Sequence, residues 1–484
     1  MAYKHGIYGS EIPTSLLPMT ESDAGLPVVF GTAPVHLATD AAKPNTPVLC
    51  YTLKEAKKKF GYSDDFDSYT LCEAMSSHFA LYGMAPIVFV NVLDTSDDDH
   101  VQKVTGEKVT LTSLVAKLDA SQAVLLDTLV VKATADGTAL VSGTDYTAAY
   151  NDDNKLVITA LDGGALASAT EAYIDYTALK PSGVTASNIV GGDGKGLELV
   201  SEVFPRFGLV PGTLIAPKFS SDSTVAAVMK AKTENINGCF EAIAIADAPS
   251  KKDSTFDLTD YTKVSEWKNK MNYVDERLIL CWPMLSLGGV KYHMSTQLAS
   301  LLCKSDSEHD NVPYWSASNQ SVQADSAVTE NGEEVYLGVD QADYLNGNGI
   351  VTAINFIGGW KAWGNRTTAY PSNTDVKDAF IPIRRMFNWV NNTLITTFWS
   401  KIDNPTNKRL ISTIVDSANI WFNGLVAKQY LLGGRVEFRE DENTTTDLMD
   451  GKIYFHVYIT PPSPARDIEF VQEYDPNYIS TLFE

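Results

Sequence analysis

Few residues in this chain have the types and spacing to do chemistry. The run Gly191-Gly192-Asp193-Gly194-Lys195-Gly196 precedes an apolar helical pattern, and glycines ahead of a helix N-terminus can cradle a phosphate. Its spacing is neither GxxxxGK followed by Ser or Thr nor a clean GxGxxG. Asp193 also has the wrong sign to face an anion, so a Gly-rich connection is the favoured reading. The seven histidines (His5, His36, His78, His100, His293, His309, His456) make no HxH, HExxH or Cys/His pair, which leaves no metal-ligand spacing. Cys50, Cys72, Cys239, Cys281 and Cys303 are widely spaced and form no CxxC; reduced, buried thiols are expected. Ser96-Asp97-Asp98-Asp99 lacks the EF-hand pattern and reads as a solvated loop, and no GxSxG elbow occurs. Neither a cofactor, a metal nor an enzymatic activity is expected.

The elements that would position any site belong to a large globular protein. With 484 residues, 44% of them hydrophobic, two to four domains are expected. A formal charge of −22 argues against nucleic-acid binding, which needs a basic surface. It suits an abundant soluble protein whose copies stay apart until assembly is triggered. The charge is uneven: between Lys361 and Arg439 there are 11 Lys/Arg against 5 Asp/Glu, a local +6 against −28 elsewhere. Either that segment meets an anionic partner, or Arg384, Arg385, Lys408 and Arg409 are the wet face of two amphipathic helices; the second is slightly favoured. MAYKHGIYGSEIP has no apolar signal core, and no stretch looks long enough to cross a bilayer. Synthesis and folding in the cytoplasm, without membrane insertion, are expected.

The pattern of elements predicts an α/β (α+β) multidomain chain. Residues 1–22 read as an arm whose strand-like Lys4–Gly9 run is too short to hold itself and must add to some sheet. Residues 23–93 open an α/β domain with strands in LPVVFGTA and APIVFVNVL. Residues 94–187 carry short alternating runs separated by turn signals, an inserted all-β, sandwich-like domain. Residues 188–348 resume the α/β domain with uniformly apolar strands (GTLIAP, CFEAIAIAD, RLILCWPML), as in a parallel sheet covered on both faces. Residues 349–466 form a C-terminal domain. In it Pro382 sits badly inside a helix, Asn404-Pro405 starts the next helix, Gly433-Gly434 ends it, and GRVEFRE and KIYFHVYIT make strands. Residues 467–484 are a tail with a strand-like DIEFVQEY.

The C-terminal part resembles the tail sheath family of contractile phages and phage-derived, R-type and diffocin-like bacteriocins. The resemblance rests on Asn348-Gly349-Ile350, the run Gly358 to Thr367 (GGWKAWGNRT), Ile383-Arg384-Arg385-Met386, Asn404-Pro405-Thr406-Asn407, Gly433 to Phe438 (GGRVEF), and the ending from Pro461, Pro462 and Pro464 to Ile468-Glu469-Phe470. Gly6-Ile7-Tyr8, Gly191 to Gly194 and Leu214 to Pro217 agree. It spans most of the chain outside 94–187. At Ala465-Arg466 the chain departs from the small residue followed by Glu that sheath proteins often show.

This resemblance implies a structural subunit that stacks as six-fold rings around a tail tube. Contraction of the stack drives the tube through a target envelope, with baseplate and tail terminator proteins as further partners. It implies strands exchanged between copies, through Lys4, His5, Gly6, Ile7 and Tyr8 of the arm, Ile468 and Phe470 of the tail, and Val436, Phe438, Tyr454 and His456 of the receiving hairpin. Lys401, Lys408, Arg409 and Lys428 are candidates to face an acidic tube. Hinges are expected around Ser15–Thr20 and Pro461–Pro464. The particle would assemble in the host cytoplasm and be released as a tail or tail-like particle. The alternatives are a surface-exposed binding or adhesin-like module and an α/β nucleotide-binding enzyme built on the Gly-rich loop.

Overall fold

The computed structural model describes Met19, residues 25–252 and residues 254–483. Lys4, His5, Gly6, Ile7 and Tyr8 lie outside the described residues.

Runs of apolar residues too short for helices pair into an eight-stranded sheet. Its order is Trp360–Trp363, Ile350–Asn355, Leu278–Cys281, Ile243–Asp247, Thr213–Ile215, Pro27–Gly31, Ile87–Asn91, Val48–Cys50. The six inner strands run parallel and the two edge strands antiparallel. Such strands must be apolar on both faces. Val28, Phe30, Leu214, Ala244 and Leu280 pack on one side against Val225, Met229, Val264 and Trp267. Val29, Ile215, Ile245 and Ile279 pack on the other against Leu298 and Leu302 of helix Met294–Glu308.

Between strands Ile87–Asn91 and Thr213–Ile215 the chain makes two three-stranded antiparallel sheets. One holds Val101–Thr110, Glu171–Leu179 and Val130–Lys132; the other holds Val115–Lys117, Leu156–Ala160 and Tyr146–Tyr150. Their alternation buries Ala172, Ile174 and Tyr176 with Leu156, Ile158 and Ala160 in one shared cluster. Asn154 Nδ2 donates to Tyr62 O at 3.2 Å. The buried His36 ring meets Tyr150 of this unit and Tyr69 of the main body, with centroids 5.4 and 6.0 Å apart. Burial pushes the His36 pKa down to about 4, so the imidazole at this junction is neutral.

The C-terminal part packs helix Ile381–Phe398, helix Lys408–Ala427 and a hairpin of Gly433–Glu437 with His456–Thr460 around Met386, Trp389, Phe422, Leu425 and Val436. Several sequence expectations are corrected here. The boundary at 349 cuts the central sheet, because Leu280↔Ile350 and Cys281↔Val351 continue its parallel ladder. RLILCWPML divides at Pro283, which has no N–H for a ladder: Leu278–Cys281 stays in the main sheet and Met284–Leu287 joins a separate antiparallel one. Pro382 stands in the first helical turn, where its missing N–H costs nothing. The second helix is capped by Asn407, whose Oδ1 accepts from Leu410 N at 2.9 Å, rather than started at Asn404-Pro405. It ends at Ala427, and Gly433-Gly434 opens a strand instead. At 20 residues and a mean hydropathy of 1.2 it also has the length and composition of a membrane span. However, it carries Lys408, Arg409 and Asp416, and it buries Phe422 and Leu425 in the protein core.

Arg384 and Arg385 are not a wet face. Arg385 (3% exposed) forms a bidentate pair with Asp306 (5% exposed) of helix Met294–Glu308: Nη1 donates to Oδ1 at 2.9 Å and Nη2 to Oδ2. One turn further along, Asn388 Nδ2 donates to Ala242 O at 3.0 Å. Asn392 accepts from Glu241 N at 2.9 Å and donates to Glu241 O at 2.8 Å. One face of this helix thus locks the C-terminal part onto the sheet body. Removing one partner of a buried pair strands the other charge. Arg385→Ala should therefore lower stability by about 3–5 kcal/mol, read as a drop in the urea midpoint.

Across the sheet, His293 Nδ1 lies 2.8 Å from Glu73 Oε2, which is fully buried. Burial alone would lower the His293 pKa, but Glu73 and then Asp247 more than offset it and push it to about 9. A raised folded pKa stabilises fully below the unfolded value near 6.5, and the contribution is lost as pH climbs through 9. The unfolding midpoint should fall between pH 7 and about 9, and His293→Gln should flatten that slope.

Candidate assembly interface

In the C-terminal hairpin, Gly433↔Thr460, Gly434↔Ile459, Arg435↔Tyr458, Val436↔Val457 and Glu437↔His456 face one another. Alternation puts Val436, Val457 and Ile459 on the core side with Trp389 and Phe422. Arg435, Glu437, His456 and Tyr458 are on the other. Both strands are shorter than the sequence runs, because the connection folds on itself. Asn443 accepts from Tyr454 N at 2.8 Å and donates to Tyr454 O and Arg439 O. Phe438 and Phe455 pack at 6.0 Å, and His456 Nδ1 sits 2.7 Å from Glu442 Oε1. Tyr454 is exposed in that connection.

The two edges of this hairpin differ, a feature the sequence does not announce. Asn419 of helix Lys408–Ala427 donates to Val436 O at 3.0 Å and accepts from Val436 N at 2.8 Å. A side-chain amide therefore stands where a third strand would bond. The signal was a polar residue on the apolar side of that helix.

Beyond Thr460, Pro461–Asp475 leave the hairpin with no strand partner among the described residues. Ile468 and Phe470 are 70% and 84% exposed, with Val471 and Tyr474 beside them. An extended apolar run held in water is a strand without a sheet.

The four candidate tube-facing cations do not form one group. Lys428 is paired with Asp310 at 2.9 Å, and Tyr430 with Lys428 holds that carboxyl below the usual carboxylate range. Lys401, Lys408 and Arg409 have no ion-pair partner among the described residues. They share the helix–helix connection with exposed Trp399 (63%) and Ile402 (57%), which sequence reasoning passed over.

The sites of the competing readings are occupied by their own neighbours. The Gly-rich run follows helix Ala186–Val190, not a strand. Gly196 N is taken by Asn45 Oδ1 at 3.1 Å, and a Cβ on Gly191 would sit 2.0 Å from Lys195 O. A cavity of about 250 Å³ opens elsewhere, at the carboxyl ends of the parallel strands, lined by Lys218, Asp247, Lys251, His293 and Glu330 among others. Asp247 is held by Ser295 and Ser220, His293 by Glu73, and Lys251 by Glu330 at 2.9 Å. Burial pushes the Cys50 and Cys72 thiols up to about 12.

No family model matches the chain. An alignment over 494 residues gives 26% identity with the tail sheath protein of Burkholderia phage BcepMu, spanning 99% of this chain and 98% of that one. Over nearly its whole length the chain is similar to a phage tail sheath protein. The sheath protein of Escherichia phage P2 is 26% identical over 223 residues, 44% of this chain and 54% of that one. The chain also shares its fold with a chain of the anti-feeding prophage baseplate in its contracted state (TM-score 0.59, 12% identity, 98% and 99% covered). A chain of the PVC extracellular contractile injection system sheath complex in its contracted state is similar (TM-score 0.56, 12% identity, 99% of each covered). The mixed α/β fold of this chain is thus one found in contractile injection systems.

Asn419→Ala should strip both partners from the Val436 backbone and cost about 1–3 kcal/mol. Hydrogen exchange of the hairpin amides would register it as lost protection at Val436.

Proposed function

We propose that this chain polymerises as stacked six-fold rings around a tail tube, and that contraction of the stack drives the tube through a target envelope. The observation that supports this is a pair of complementary features in one chain: a two-stranded hairpin with one edge unpaired among the described residues, and an apolar tail with no strand partner among them. Lys4, His5, Gly6, Ile7 and Tyr8, with Ile468 and Phe470, are the strands donated between copies. The hairpin of Val436, Phe438, Tyr454 and His456 receives them. Contacts of this kind are heterologous and do not close on one partner, so they propagate as a helical stack.

In this reading the helices and hairpin of residues 349–466 form the inner domain, with its first two strands shared with the sheet body. The units formed by 23–93 with 188–348 and by 94–187 lie outside it. The arm 1–22 and tail 467–484 tether neighbours while they rotate, with hinges at Ser15–Thr20 and Pro461–Pro464. Lys401, Lys408 and Arg409, with Trp399 and Ile402, face an acidic tube; Lys428, already paired, is a weaker candidate. Each such exposed contact is worth on the order of 1 kcal/mol or less, which suits a bond that breaks on firing. Baseplate and terminator proteins bound the stack. Assembly takes place in the host cytoplasm, and the subunit leaves within the released particle. Nucleic acid has no place in this scheme, because the surface is acidic overall.

The purified chain should form tubular particles visible by negative-stain microscopy, whereas chains lacking residues 1–12 or 467–484 should stay folded and monomeric. A full-length chain that remains monodisperse at high concentration would overturn the proposal. Charge reversal at Lys401, Lys408 and Arg409 together should abolish salt-sensitive co-sedimentation with preformed tubes of a tail tube protein, while Lys428→Glu should change it little.

A further inference from the structure

We propose that the donated tail is read by face and by charge. It adds to the Val457–Ile459 edge of a second copy's hairpin, with Ile468 and Phe470 turned to the core and Asp467 and Glu469 turned to Arg435 and Arg439. This deepens the strand-exchange reading above and rests on it.

The edge follows from hydrogen-bond geometry. Both backbone groups of Val436 point to Asn419 and so away from the paired strand. In an antiparallel pair, directly opposite residues either both point inward or both point outward. Val457, opposite Val436, therefore presents its N–H and C=O to the free edge, and so does Ile459, two residues on. Among the described residues nothing bonds them there. The isolated subunit thus has one edge covered at Val436 and one edge open.

The two faces along the open edge differ in chemistry. Val457 and Ile459 belong to the apolar cluster. On the other face, the Arg435 guanidinium crosses from the inner strand to lie 3.8 Å above the Tyr458 ring. Arg439 Nη1 reaches Tyr458 OH at 3.1 Å. Both cations sit over the edge strand, beside the position of an added one. Arg435 commits Nε to Glu437, and Arg439 spends Nε and Nη2 on Asp441 with Nη1 near Glu442. A guanidinium carries five N–H donors, so capacity remains for an incoming carboxylate.

The tail has the matching alternation. Asp467, Ile468, Glu469 and Phe470 put two acids on one side and two large apolar groups on the other. With Ile468 and Phe470 continuing the Val457 and Ile459 side, both acids fall on the arginine side. A slip by one residue would press both carboxylates into the apolar cluster. The donor is a second copy, because Pro461, Pro462 and Pro464 follow the edge strand directly and oppose a tight return of the chain's own tail.

Tube formation by light scattering and microscopy tests this. Glu469→Lys and Arg435→Glu should each raise the concentration needed for polymerisation several-fold. The double variant should recover most of that loss, with thermal midpoints unchanged because both side chains are exposed. A double variant no better than the worse single one, or single reversals without effect, would overturn the proposal. Deletion of residues 467–484 separates the two levels. If the deletion blocks tubes while the reversals do nothing, only the face-and-charge rule fails; if the deleted chain still polymerises, tail donation itself fails.

Discussion

The buried Arg385–Asp306 pair is the constraint on which the rest of the architecture turns. A joint made only of apolar side chains could slide, because the hydrophobic effect has no direction. A bidentate guanidinium–carboxylate pair with almost no water access tolerates one geometry, and a displacement that opened it would leave two desolvated charges apart. Asn388 and Asn392 fix the same helix to the backbone at Glu241 and Ala242. The hairpin and its tail are thereby presented at a set angle to the central sheet.

That rigidity throws conformational change onto the segments with fewest internal bonds. The eight-stranded sheet is packed on both faces, and His293 beside it is held charged by Glu73 and Asp247. The neutral His36 beside Tyr150 extends the same tight packing to the β unit. Residues 461–475, by contrast, carry no ladder bonds to described residues, and three prolines keep them from folding locally.

How much of this was legible in the sequence depended on whether a local rule decided it. Strands Pro27–Gly31, Ile87–Asn91 and Ile243–Asp247 were read because a fully apolar run has one stable home in a parallel sheet. The alternation of residues 146–160 gave the β unit away for the same kind of reason. What failed was non-local. Strand Ile350–Asn355 was assigned to the wrong body because only its pairing with Leu280–Cys281 reveals its membership. Arg384 and Arg385 looked like solvent residues because their partners, Asp378 and Asp306, lie on other elements, one of them 79 positions away. The hairpin was located by its GGRVEF signature, but the asymmetry of its edges depends on Asn419, which the sequence marks only as a polar residue on the apolar side of its helix.

Under the proposed strand exchange, that asymmetry bears on how copies of an acidic chain avoid indiscriminate pairing. An open strand edge beside exposed Ile468 and Phe470 is a template for indiscriminate pairing. The long-range repulsion among copies with a formal charge of −22 is screened beyond roughly 8 Å at physiological salt, so it slows encounter without policing the final contact. Policing has to be local. Asn419 covers one edge at Val436, and under the proposed tail donation the arginines over the other favour strands whose acids fall on the correct face. Net charge then sets how often copies meet, while the residues around Tyr458 decide which meetings hold.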